Sequence, residues 1–134
     1  MRGETAIASP VIKEAPRIQV MKLIKDDGNA NTIVVFKMID DGSWKNNPQG
    51  LFIKFDDGTI SRFANNPVKV EYLDTIAGMK AYVYQSLILL DKSIFKQFSK
   101  HKIDKFTIDH GDSLVTPEWG EKIRQWIVCV YNSK

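Results

Sequence analysis

The sequence predicts an α+β domain: an antiparallel β-meander of about six to eight strands, a rolled sheet or a sandwich, with two helices late in the chain. Three observations carry this. Asp-Asp-Gly occurs three times, as Asp26-Asp27-Gly28, Asp40-Asp41-Gly42 and Asp56-Asp57-Gly58, each after an apolar or β-branched run. Asp-Gly is a strong hairpin signal, because a tight type I′ turn needs residues that tolerate positive φ. Between the turns, apolar residues alternate with polar ones at the period of a strand. Near the end, Thr116-Pro117 opens a stretch whose apolar residues recur at helical spacing.

Residues 1–17 carry Pro10 and Pro16, several small residues and no sustained period, so they are expected to be a flexible arm or an edge strand. Residues 18–134 form one β-rich domain. Ile18, Val20 and Leu23 begin a strand that ends at the first Asp-Asp-Gly, and the near-continuous apolar run 32–39 ends at the second, as a central strand would. Ser43 to Gly50 reads as a loop that exposes Trp44. The best hairpin joins residues 51–55 to residues 59–63 through the third Asp-Asp-Gly. Val68, Val70 and Tyr72 alternate with Lys69 and Glu71 in a half-buried strand. Asp74 to Gly78 reads as a turn, and residues 81–90 as a long strand.

The first helix is expected near residues 91–100. Asp91 caps it, Ile94, Phe95 and Phe98 form its apolar side, and Lys92, Lys96 and Lys100 lie four apart on the other. Ile103 to Ile108 is a last strand, turned at His110-Gly111-Asp112. The C-terminal helix is expected near residues 117–131, with Thr116 as N-cap, Pro117 at N1, and Glu118 and Glu121 complementing the helix dipole. Trp119, Ile123, Trp126, Ile127 and Val130 share one face of it.

Composition bounds the function. A chain of 134 residues with 43% hydrophobic and 26% charged residues is an ordinary globular domain without room for a large multidomain cleft. A net charge of +3 falls below that of a dedicated nucleic-acid binder. The single cysteine, Cys129, excludes an intramolecular disulfide framework and a thiolate zinc cluster. The N-terminus lacks the apolar core of a signal peptide and no run approaches a membrane span, so the chain as given reads as cytoplasmic, or as secreted if a leader has been removed.

Chemistry is sparse. The Asp-Asp-Gly turns lack the alternate acidic ligands and terminal glutamate of a calcium loop, and read as structural turns. His101 and His110 form no ligand pair, and Asp109 beside His110 is the nearest approach to a catalytic acid–base couple. No nucleophile elbow, phosphate loop or dinucleotide fingerprint is present. Cys129, between Val128 and Val130, reads as a small buried hydrophobe. No cofactor, metal site or catalytic residue is therefore expected.

The candidate binding residues are Trp44 in its polar loop, Phe52, Lys54, Arg62 and Phe63 on an exposed sheet face, and the Lys92, Lys96, Lys100 stripe. The stripe also suits the solvated side of an amphipathic helix. The closing pattern, Tyr82-Val83-Tyr84 into Leu87 and Leu89, then residues 90–98, residues 102–108 and a final helix, resembles the end of small β-rich domains common among uncharacterised bacterial proteins. That resemblance covers roughly the last 55 residues, rests on hydrophobic pattern and implies no catalytic motif or named activity.

The sequence thus points first to a non-enzymatic module binding a protein or other macromolecule. A small-barrel oligonucleotide-binding domain using Lys54, Arg62 and Phe52 or Phe63 is the second reading. A small hydrolase using His110 and Asp109 is the third. Homodimerisation through a free sheet edge is a further expectation.

Overall fold

A computed structural model describes residues 4–7, 13–15, 17–40, 48–76, 78–109 and 111–133. They form ten antiparallel strands in two sheets and two helices. Strands β1 (Glu4–Ile7), β2 (Lys13–Ala15), β3 (Ile18–Lys25), β4 (Ala30–Asp40), β7 (Lys69–Ile76) and β8 (Met79–Leu89) make the larger sheet. Its order is β1-β3-β4-β8-β7, with β2 also on β3. Strands β5 (Gln49–Phe55), β6 (Ile60–Pro67), β9 (Ile103–Ile108) and β10 (Gly111–Leu114) make the smaller one, in the order β10-β9-β5-β6. Helices α1 (Lys92–Lys100) and α2 (Pro117–Asn132) lie where capping and periodicity put them.

The topology is more than a meander. Hairpins join β3 to β4, β5 to β6, β7 to β8 and β9 to β10, but β4 pairs with β8 and β5 with β9. Neither sheet closes into a barrel among the described residues. Residues 4–7 and 13–15, which carry no side-chain period, pair with β3 through the main chain, where none is needed. β10 was not visible as a strand in the sequence, since four residues are too few to establish an alternation. β7 runs on to Ile76, beyond the turn expected from Asp74 onward, and a register shift between Tyr72 and Asp74 accommodates the change of face.

The third Asp-Asp-Gly turn forms differently from the expected type I′. Gly58 N–H donates to Phe55 O, Phe55 N–H donates to Thr59 O, and Gly58 alone takes a positive φ, 89°. This is a three-residue loop whose glycine absorbs the left-handed step, so neither aspartate has to. Asp57 Oδ1 accepts from both Thr59 N–H and Thr59 Oγ1, closing an Asx turn.

The inner faces of the two sheets meet in one core. Val20, Val34, Phe36 and Tyr84 come from the larger sheet, and Leu51, Ile53, Phe55 and Phe106 from the smaller. The rings of Phe36 and Phe106 lie 5.1 Å apart across the join. α2 closes the open side with Ile123, Ile127 and Val130. Its Gly120 permits close approach to β9, because a Cβ there would stand 2.9 Å from Ile103 O. α1 contributes Phe98, edge-on to Phe55 at 5.1 Å. Arg124 ties the helices together: it pairs bidentately with Glu121 and donates to Ser99 O at 2.9 Å.

One cation enters the core. Lys22 is 7% exposed, and its Nζ donates to Val130 O, Tyr131 O and Ser133 O at 2.8, 3.2 and 2.6 Å. It thus adds a charged donor to carbonyls of the last turn of α2 and of its C-cap Ser133, at the negative end of the helix; Val130 O also accepts from Ser133 N–H. Burial holds its pKa below the ordinary lysine value. Cys129 is exposed, contrary to the reading from its neighbours. Ile123, Ile127 and Val130 define the buried stripe of α2, and a residue two beyond Ile127 falls on the opposite side of a helix.

Candidate functional site

Pairing registers sort the side chains of each sheet into faces. On the smaller sheet Phe52 stands opposite Arg62 and Thr107, and Lys54 opposite Ile60 and Lys105. These side chains point away from the core, while Leu51, Ile53 and Phe55 point into it. Phe52, Lys54 and Arg62 thus share an outer face with Lys105. Phe63 does not join them: it pairs with Leu51 and packs on the core. The Phe52 ring lies over Gly50, whose φ of 104° marks the bulge that starts β5; a Cβ at Gly50 would be 3.2 Å from the ring. On β10, Asp112 partly offsets this basic face, accepting from Thr107 Oγ1 at 2.7 Å and lying 3.9 Å from Lys105 Nζ.

The outer face of the larger sheet is rich in apolar side chains, interrupted by Lys37 opposite Gln85 and by Gln19 opposite Val35. Met21 pairs with Ile33, Ile33 with Leu89, Val35 with Leu87 and Ile39 with Val83. Met21, Ile33 and Val35 form a second cluster with Leu23, separate from the main core. Beside them Ile39, Leu87 and Leu89 remain 48%, 49% and 49% exposed. At the far edge, in the β7–β8 hairpin, Leu73 and Met79 are exposed as well, and so are Val70 and Tyr72, which stand opposite Tyr84 and Tyr82 of the core-side face. Tyr72 packs edge-on against Tyr82 at 5.4 Å. Where the chain crosses from β6 to β7, Asn66, Pro67, Val68, Lys69, Leu87 and Leu89 help line a depression of about 480 Å³. Asn66 Nδ2 donates to Leu87 O there at 2.7 Å, satisfying a carbonyl beyond the end of the β7–β8 ladder.

The lysine stripe of α1 is exposed throughout, as Lys92, Lys96 and Lys100. Lys96 and Lys100 border a shallow depression of about 300 Å³ with Asp57, Thr59, Gln97 and His101. His101, the C-cap of α1, lies between the two carboxylates of the β5–β6 turn: Nδ1 is 3.4 Å from Asp56 and Nε2 is 3.4 Å from Asp57. Hydrogen bonds from Thr59 hold the Asp57 carboxyl below its ordinary pKa. Asp56, Asp57 and His101 bring one ligand atom each within 4.8 Å of one another, so they are the residues that could hold a metal ion among those described. Sequence separation hid this cluster, which lies where Asp56 N–H donates to Lys102 O at 2.9 Å.

Trp44 and His110 lie outside the described residues. Asp109 serves the backbone: its Oδ1 accepts from Gln49 N–H at 3.3 Å, its own N–H donates to Gly50 O at 2.8 Å, and its φ is 54°. No helix among the described residues is long and apolar enough to cross a membrane. Comparison of the chain with protein-family models, curated proteins and solved structures finds no match.

Proposed function

We propose that this chain is a non-enzymatic binding module that docks a protein partner on the outer face of its six-stranded sheet. The observation that carries the reading is the exposure of Leu87 and Leu89 at about half their surface, directly opposite Val35 and Ile33 of the Met21, Ile33 and Val35 cluster, with Ile39 exposed beyond Lys37 and Gln85 on the same face. Exposed apolar residues are ordinary singly; contiguous ones on a flat face mark interaction surfaces. The depression beside Leu87 and Leu89 supplies a recess for an anchoring side chain, the usual centre of an interface. The test is affinity capture with the wild-type chain and with the Leu87→Ser, Leu89→Ser double variant. Partners retained by the wild type and lost from an equally folded variant support the reading; an identical set on both overturns it.

A second reading rests on a different observation: Phe52, Lys54, Arg62 and Lys105 share the outer face of the smaller sheet. An aromatic ring flanked by cations suits a single-stranded polyanion, with stacking on Phe52 and phosphates on the cations. The Asp112 carboxylate and the single aromatic ring weigh against it. Anisotropy of a labelled single-stranded oligonucleotide at two salt concentrations, with wild type and Arg62→Ser, decides it. Salt-sensitive binding weakened by the substitution supports the polyanion, and absence of binding at low salt rejects it.

A further inference from the structure

We infer that the free edge of β10, with the cavity beside it, accepts an extended peptide segment of a partner protein, one that carries an apolar and an acidic side chain two residues apart. This site is separate from the outer face of the larger sheet and does not depend on it.

The first observation is the edge itself. β10 ends the order β10-β9-β5-β6, so among the described residues one side of it has no strand. Val115 N–H donates to Asp104 O at 2.9 Å, and Ser113 stands opposite Phe106 in the same ladder. Antiparallel ladders alternate, so the N–H and C=O groups of Asp112 and Leu114 point away from β9, toward the open side. Leu114 is 82% exposed. Two residues with outward amide groups suffice to start an added strand.

The second observation is the cavity. About 410 Å³ lies between β10, the start of β3 and the first turns of α2, with Ile18, Phe106, Val115, Trp119 and Ile123 among its walls. Phe106 and Ile18 belong to the inner face, so the cavity opens beneath the edge on the side toward the core. Side chains of an added strand alternate between faces, and every second one would enter it. The walls are mainly apolar, with Asp112, Ser113 and Thr116 on the β10 and α2 side, which favours an apolar side chain toward Ile18, Phe106 and Ile123.

The third observation is Arg17, which also borders the cavity. Its backbone is anchored, with φ 71° and its carbonyl accepting from Lys37 N–H at 2.8 Å. Its guanidinium has no ion-pair or hydrogen-bond partner among the described residues. The nearby Asp112 carboxylate is turned to the outer face, where Thr107 and Lys105 engage it. Among the described residues, the unpaired charge at the cavity is therefore positive, and complementarity calls for a carboxylate on the same face as the apolar residue.

The experiment selects a displayed library of random octapeptides against the whole chain, then measures the enriched peptide by calorimetry with free and amidated C-termini. Enrichment of an apolar and an acidic residue two apart is expected, with binding indifferent to C-terminal amidation and at least tenfold weaker when the acidic residue becomes lysine. Two variants locate the site. Arg17→Gly removes the guanidinium at a backbone conformation that glycine adopts freely, and Leu114→Pro removes an outward N–H that the fold does not use. Each should weaken binding at least tenfold at an unchanged melting temperature. If Leu114→Pro unfolds the chain, Arg17→Gly alone decides. Failure to enrich any peptide, binding that survives Arg17→Gly, or a requirement for a free C-terminal carboxylate each overturns the inference.

Discussion

On the outer face of the larger sheet, β4 and β8 set Ile33, Val35, Leu87 and Leu89 side by side, with Ile39 beyond Lys37; on the outer face of the smaller one, β5, β6 and β9 set Phe52, Lys54, Arg62, Lys105 and Thr107. Both faces come from strands whose other side lines one common core. The difference is in the second set of side chains. β5 alternates, as a strand with one wet face must, whereas β4 carries apolar residues on both sides, broken on the outer one by Lys37. On that second side Met21, Ile33 and Val35 are buried in their own cluster, while Leu87 and Leu89 beside them leave apolar surface for something else to cover. That contrast separates the two readings of function, since one face suits a protein partner and the other a polyanion.

The contrast is broken most severely where the sheets are alike. Phe106→Ala empties the contact with Phe36 and should cost about 3–5 kcal/mol in urea unfolding. A much smaller loss would mean that the two sheets do not share one core. Lys22→Met comes next, because it withdraws an ammonium from three carbonyls at the end of α2. The expected loss is about 2–3 kcal/mol, and a neutral or stabilising result would show that the buried charge costs as much as its hydrogen bonds return.

The outer faces should be far more tolerant, and that tolerance sharpens the comparison. Leu87→Ser with Leu89→Ser should change unfolding free energy by less than about 1 kcal/mol while reducing binding of a dye for exposed apolar surface. A large destabilisation would instead assign both leucines to the core. Lys54→Ser with Arg62→Ser should shift stability by less than about 0.5 kcal/mol, leaving only salt-sensitive ligand binding to change.

The smallest effect is an acid response. Hydrogen bonds from Arg124 and Gln125 lower the Glu121 pKa from 4.5 to about 2, and Thr59 lowers that of Asp57. A carboxyl depressed in the folded state stabilises the fold above its unfolded pKa, and that contribution is lost as pH falls through the folded value. Stability should therefore decline between about pH 4.5 and pH 2. Glu121→Gln should flatten that decline in acid titrations followed by tryptophan fluorescence; an unaltered profile would remove Glu121 as a contributor.

Much of the molecule follows from local chemistry. Asp91 accepts from Ile94 N–H and Thr116 from Trp119 N–H, as the capping residues require, so both helices start where the sequence says. Alternation around the third Asp-Asp-Gly put Phe52 and Lys54 on one side of β5 and Leu51, Ile53 and Phe55 on the other. These signals need only neighbours within a few residues. Tertiary structure decided the rest, because it depends on partners far along the chain. Phe63 faces inward because its register pairs it with Leu51, and Arg62 faces outward for the same reason. Lys22 finds its acceptors 108 and more positions away. Whether His101 meets Asp56 and Asp57, whether residues 111–114 become a strand, and whether the second apolar side of β4 is wet or covered all turn on how the sheets are assembled. An alternating pattern can assign a residue to a face of its strand, but only the packing of the whole chain determines what that face meets.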